Sequence, residues 1–154
     1  MTKAQSNQFQ ILLNEARIAG IQAVQQAQIE PMVVSQHADL LNDNSPAVRR
    51  YFVADGPCGF AWIKIPTRRA RPTDKGYNAT LNVQFANWLK AQGKVQGRRN
   101  DEMLFPERTS YTGGVDIWVS GFGQSVQKKE AYAAAFAGVL NAAGITAYAD
   151  SRLD

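Results

Sequence analysis

Cys58 and His37 are the one thiol and the one imidazole of this chain, and therefore the only pair from which thiol-imidazole nucleophilic catalysis could be assembled. Nothing in their local setting activates them. Cys58 follows Gly56-Pro57 in a turn ahead of a strand, whereas a reactive thiolate is usually stabilised at a helix N-terminus or beside a positive group. A small residue filling a turn is the simpler reading, and His37, just before Asp39 and a polar stretch, reads as solvated. A single cysteine excludes an internal disulfide, and with a single histidine it excludes a zinc site built from several such ligands. The carboxylates Asp55, Asp116, Asp150 and Asp154 are scattered over strand ends and the C-terminus, without Asp-x-Asp or Glu-x-x-His spacing. No catalytic residue, metal or cofactor is expected, and an enzyme is the less favoured reading. Asp116 reads as the ion-pair partner of Lys64 or of an arginine across a sheet.

Anion chemistry has a better foothold in Gly121-Phe122-Gly123-Gln124-Ser125, which lies between a strand and a helix. Backbone N–H groups and the helix dipole can hold an anion in such a loop. Lys128 and Lys129 add to the suggestion, because two cations in a first helical turn oppose the macrodipole by a few tenths to about 1 kcal/mol each unless an anion is bound. The third glycine of a dinucleotide fingerprint is missing and no P-loop lysine pattern is present. A tight turn with solvated lysines is the simpler account, and a nucleotide or phosphate-ester enzyme is the least supported function.

The third chemical feature is positive charge beside aromatic side chains. Arg68, Arg69, Arg71 and Lys75 crowd the stretch Thr67 to Thr80, and Arg98 and Arg99 lie in a second polar connection from Lys94 to Gly114. The formal charge is +4 and the pI about 9.4, a balance that suits nucleic acid or an acidic protein surface without requiring either. A hydrophobic content of 45% with 19% charged residues marks a folded chain, and 154 residues suffice for one core. No continuous apolar segment reads as a signal peptide or a membrane span, so the expected location is the cytosol.

The elements that must position these residues follow from periodicity. Apolar residues from Gln8 to about Ile29 recur at helical spacing on two neighbouring faces, which predicts a helix buried on more than one side or packed against a second copy. Asn42-Asp43-Asn44-Ser45-Pro46 is a loop signature. Arg49 to Ala54 reads as a strand, Asp55-Gly56-Pro57 as a turn and Phe60 to Ile65 as the antiparallel partner strand. A helix over Asn82 to Ala91 is closed by Gly93, and Val115 to Ser120 alternates as a strand. Ser125 N-caps a helix to about Ala143, and Ile145 to Ala149 is the last strand.

This order predicts an α+β fold: a single small domain with a mixed, mainly four-stranded sheet, strand and helix order ββαβαβ, and two helices on one face. The N-terminal helix, residues 1–30, is expected on or beside the other face as a packing or oligomerisation element, ahead of an α+β domain spanning 47–154. Alternation places Ala61, Ile63, Ile65, Val115, Ile117 and Val119 under the helices, and Phe60, Trp62, Lys64, Asp116, Trp118 and Tyr148 on the opposite face. That aromatic face could stack bases, but the surplus apolar surface of the N-terminal helix, or a second subunit, is the favoured cover.

The motifs Asp55-Gly56-Pro57-Cys58-Gly59-Phe60-Ala61-Trp62, Phe85-Ala86-Asn87-Trp88-Leu89, Gly113-Gly114-Val115-Asp116-Ile117-Trp118-Val119, Lys128-Lys129-Glu130-Ala131-Tyr132-Ala133 and Ser151-Arg152-Leu153-Asp154 resemble a group of small uncharacterised proteins encoded by tailed bacteriophages. The resemblance covers about the last two-thirds of the chain and brings no activity with it. It implies a phage-encoded protein acting in the host cytosol, or a component of the virion. The expectation is a non-enzymatic accessory protein that binds nucleic acid or an acidic partner through its basic loops, helped by Lys128 and Lys129. The alternative is a structural or interaction protein, a homodimer or virion component, assembled through the N-terminal helix and the aromatic face.

Overall fold

Thr2 opens the first helix by accepting a hydrogen bond from the backbone N–H of Gln5 on its hydroxyl, at 3.2 Å. The computed structural model describes residues 1–42, 44–67, 78–96, 106–109 and 114–154. Helix α1 spans Lys3–Gln26 and buries the stripe Phe9, Leu13, Ala16 and Gly20. Its other apolar residues, Ile11, Ile18 and Ile21, stay exposed on the opposite side. The helix ends short of Ile29 because Ala27 already has extended backbone geometry.

Two strands follow, β1 (Met32–His37) and β2 (Ala47–Val53), which pair with each other as a separate antiparallel hairpin. This corrects the expected pairing of the Arg49 to Ala54 segment with the Phe60 strand. The described residues of that loop signature, Asn42 and Asn44 to Pro46, lie in the turn of this earlier hairpin, which carries side-chain caps on backbone N–H groups: Asp39 Oδ1 to Leu41 at 3.0 Å, Asn42 Oδ1 to Asn44 at 3.0 Å and Ser45 Oγ to Asp39 at 3.1 Å. His37 is not simply solvated, since its Nδ1 lies 2.6 Å from the carbonyl oxygen of Ser45 at the same turn.

The main sheet has the order β4-β5-β3-β6, formed by β3 (Gly59–Pro66), β4 (Pro106–Thr109), β5 (Gly114–Trp118) and β6 (Tyr148–Leu153). All its pairings are antiparallel, so it is not the mixed sheet expected from sequence. The last strand starts at Tyr148, whereas Ile145 and Ala147 are buried on the approach to it. Two asparagines fix that approach. Asn141 brackets Ala147, donating to its carbonyl and accepting from its N–H. Asn82, fully buried, donates to the carbonyls of Pro66 and Thr146 and accepts from the N–H of Thr146.

Helices α2 (Ala79–Gln96) and α3 (Val126–Ala142) both pack on the aliphatic face of the sheet, as the alternation predicts. Ala61, Ile63, Ile65, Val115 and Ile117 are fully buried there, joined by Phe85, Phe136 and Leu140 from the helices. Burying each large side chain contributes about 1.5–3 kcal/mol. The many alanines of α3 let it lie close to β3 and β6 on one side and to α1 on the other. At the α1 crossing a Cβ on Gly20 would sit 2.6 Å from the Tyr132 ring, so only glycine admits that ring.

Helix α1 therefore joins the helical side of the molecule. It packs along α3 and touches α2, where Phe9 meets the rings of Phe85 and Trp88, and it makes no contact with a described strand. The expectation that it covers the aromatic face is overturned: its buried stripe is taken up by α3 and α2.

Candidate nucleic-acid interface

Strand β3 is central in the sheet, so its outward side chains have neighbours on both sides. The register sets Trp62 opposite Trp118 and Lys64 opposite Asp116 on β5, and Phe60, Trp62 and Lys64 opposite Arg152, Asp150 and Tyr148 on β6. The outward surface is thus a patch of Phe60, Trp62 and Trp118, each half-buried, with Tyr148 and Arg152 exposed at its β6 border. The indoles of Trp62 and Trp118 are stacked with centroids 5.8 Å apart, and Phe60 leans on Trp118 at 5.3 Å.

Cations sit against these rings. Lys64 Nζ lies 5.6 Å from the Trp62 centroid, and the Arg152 guanidinium lies 5.4 Å from Phe60. Lys64 is held in place by an ion pair with Asp150 at 2.5 Å. The hydrogen bond from Lys64 is the main reason the Asp150 carboxyl is held below its usual range, against a smaller opposing effect of burial. Lys64 therefore pairs with the β6 carboxylate, while Asp116 stands in register between Lys64 and Arg108.

A third cation, Lys129 of α3, reaches the Phe60 end of the patch. It is only 4% exposed, donates to the carbonyl of Gly59 at 2.8 Å and lies 5.3 Å from the Phe60 centroid. Burial pulls its pKa below the usual lysine value, and the nearby Cys58 and Asp154 partly offset this. Lys128 is paired with Asp55 at 2.5 Å. The two lysines of the first turn of α3 are thus engaged by protein oxygens instead of standing free in solvent.

The loop Gly121 to Ser125 is stitched to the turn before β3. Gln124 accepts from the N–H of Gly59 at 3.0 Å, and the N–H of Val126 donates to Pro57 at 3.0 Å. Ser125 is buried as the N-cap of α3, with its hydroxyl accepting from the N–H of Lys128 at 3.4 Å. Phe122 and Gly123 both have positive φ, 69° and 61°, which turns the chain back sharply and lets Phe122 rest on Tyr132. Cys58 is exposed at the foot of β3, whereas His37 sits at the turn end of the β1–β2 hairpin, so they belong to different elements. Among the described residues no group of three or more His, Cys, Asp or Glu could hold a metal ion.

Arg68, Arg69, Arg71, Lys75, Arg98 and Arg99 lie outside the described residues. The structure brings together Phe60, Trp62, Trp118 and Tyr148 as the alternation predicts, and adds Asp150 and Arg152, which the sequence reading missed. The missed signal is the continued alternation Tyr148, Asp150, Arg152, hidden by ending the last strand at Ala149. No family model, curated protein or solved structure matches the chain. Among the described residues no helix is long and apolar enough to cross a membrane.

Proposed function

We propose that the protein is a non-enzymatic accessory protein of tailed phages that binds single-stranded nucleic acid on the outward face of β3, β5 and β6. The observation that carries this reading is the patch of Phe60, Trp62 and Trp118 on the sheet face opposite the one on which α2 and α3 pack. Unpaired bases stack on such rings with little regard to sequence, each stack contributing about 1–3 kcal/mol, whereas a duplex keeps its bases stacked on one another.

Phosphate contacts fall to Arg152 at the border of the patch and to Arg68, Arg69, Arg71 and Lys75, which follow β3 directly in sequence, with Arg98 and Arg99. Lys64 adds little net charge because Asp150 neutralises it, and Lys128 is offset in the same way by Asp55. The patch thus supplies stacking and the arginines supply the salt-dependent part of binding.

Fluorescence anisotropy with labelled single-stranded DNA, single-stranded RNA and duplex DNA, titrated over salt, tests the reading. The expected result is binding to single strands that weakens steeply with salt and exceeds duplex binding. Absence of binding to any of the three at low salt sinks it, and binding only to an acidic polypeptide competitor moves the function to a protein partner. A second reading, an assembly protein, rests on a different surface, the outward isoleucines of α1.

A further inference from the structure

The β1–β2 hairpin stands apart from the rest of the molecule. Its strands contact each other and no other named element among the described residues. An isolated two-stranded ribbon is at best marginally stable in water unless a third strand or a helix covers one face. Its root, by contrast, is firmly held. The N–H of Glu30 donates to Gln127 Oε1 at 2.8 Å, Gln127 Nε2 donates back to the Glu30 carbonyl, and Lys128 holds Asp55 on the other side. This is an arm with a fixed base and, among the described residues, no other element packed along its strands.

One face of the arm is apolar with a single cation. The register puts Val33 directly opposite Phe52 and Ser35 opposite Arg50 on one face, and Val48 adjoins them at the register shift beside Gln36 and His37. Val33, Val48 and Phe52 are 58%, 60% and 70% exposed. Leu40 and Leu41 at the tip are exposed too. The tip carries Asp39, so the arm as a whole is not a cationic ribbon suited to a nucleic-acid groove.

The same chain has a surface of matching chemistry. The outward face of α1 displays Ile11, Ile18 and Ile21 with Glu15 between them, all exposed. From Ile11 to Ile21 the helix rises roughly 15 Å at its usual pitch. From Val48 to Phe52 a strand runs roughly 13 Å. The two apolar stripes therefore agree in length, and the charge within one, Arg50, is opposite to the charge within the other, Glu15.

We infer that the hairpin is an exchanged arm whose Val33, Val48 and Phe52 face lies on the Ile11, Ile18 and Ile21 stripe of a second copy, with Arg50 meeting Glu15. The exchange is reciprocal, each copy giving an arm and receiving one, so the assembly closes as a two-fold dimer instead of growing. It buries both exposed apolar surfaces at once. The sheet face proposed for nucleic acid is not part of it, so either idea can fail alone.

Sedimentation velocity over a concentration series of the full chain, with Phe52→Glu and Ile18→Glu, tests the exchange. Both side chains are exposed, so neither substitution disturbs the core. Wild type is expected to reach a dimer plateau, and each variant to dissociate at least about tenfold more readily, as loss of a central apolar contact does. Mixing the two variants is expected to recover dimer, because the intact arm of one can seat on the intact helix of the other. Wild type that stays monomeric, grows past a dimer, or dimerises equally well with both substitutions overturns the inference, as does a mixture that recovers nothing.

Discussion

Trp62 on β3 and Trp118 on β5 are partners in the sheet register, and their indole planes differ by only 5°. A cross-strand aromatic pair of this kind contributes about 0.5–1.5 kcal/mol beyond the area it buries. The pair lies on the face opposite the core, away from the face on which α2 and α3 pack, and both indoles are half-buried.

Removing either indole separates the two roles. Trp62→Ala or Trp118→Ala is expected to weaken single-strand binding by about 1–3 kcal/mol, the worth of one stacked base. Folding stability is expected to fall by less, about 0.5–1.5 kcal/mol. Anisotropy at fixed salt, run beside urea unfolding, checks both. A loss of stability with unchanged affinity assigns the pair to the sheet alone.

Arg152 is exposed against Phe60 and pairs with it across β3 and β6. Arg152→Ala is expected to lower the slope of log K against log salt by about 0.7, the value for one phosphate contact to a single strand. Arg152→Lys retains the charge and is expected to keep the slope. An unchanged slope in the alanine variant excludes a phosphate contact at this position.

The ion pair of Lys64 and Asp150 predicts a pH dependence of stability. Its carboxyl ionises in the folded protein below the 3.8 of a free aspartate, chiefly through the hydrogen bond from Lys64. The unfolded chain therefore takes up the proton first as pH falls. The stabilisation is fully present above the ordinary aspartate range and is lost as pH drops from 3.8 through the lowered native value. Both side chains remain partly in solvent, so its size is about 0–1 kcal/mol. Thermal unfolding of wild type and Asp150→Asn from neutral pH down to the acid range is expected to show a gap that closes in acid, and a gap that is constant with pH excludes this linkage.

Asn82 is fully buried and makes three side-chain hydrogen bonds, to Pro66 and to both backbone groups of Thr146. Asn82→Ala strands those groups in a place closed to water and is expected to cost about 3 kcal/mol. In a domain of this length that lowers the Tm by roughly 6 to 12 °C. Calorimetry decides it: a shift of a degree or less means that water replaces the side chain at this joint.

Much of the fold can be read from local pattern. Phe60 to Ile65 and Val115 to Val119 alternate because one side of each strand is buried against helices, so composition alone sorts Ile63 and Ile117 from Trp62 and Trp118. Ser125 marks the start of α3 because a hydroxyl there satisfies a free N–H of the first turn. Pairing is less legible. Arg49 to Ala54 has the same local character whether it pairs forward with Phe60 or backward with Met32, and the side-chain caps around Asp39 and Asn42 select the backward choice.

The sequence by itself determined an α+β fold, the two faces of β3 and β5, and a first helix apolar on more sides than one neighbour can cover. Only the tertiary structure decided where that helix goes, because Phe9, Leu13 and Ala16 would fit any apolar surface. The close approach of Gly20 to Tyr132, with Ser6 accepting from the Trp88 indole N–H, commits them to α3 and α2. With α1 taken up there, Phe60, Trp62 and Trp118 stay half-buried on the sheet face away from α1, and among the described residues Ile11, Ile18 and Ile21 are exposed. Which apolar surfaces remain uncovered is a property of how elements meet, and periodicity within one element carries no information about it.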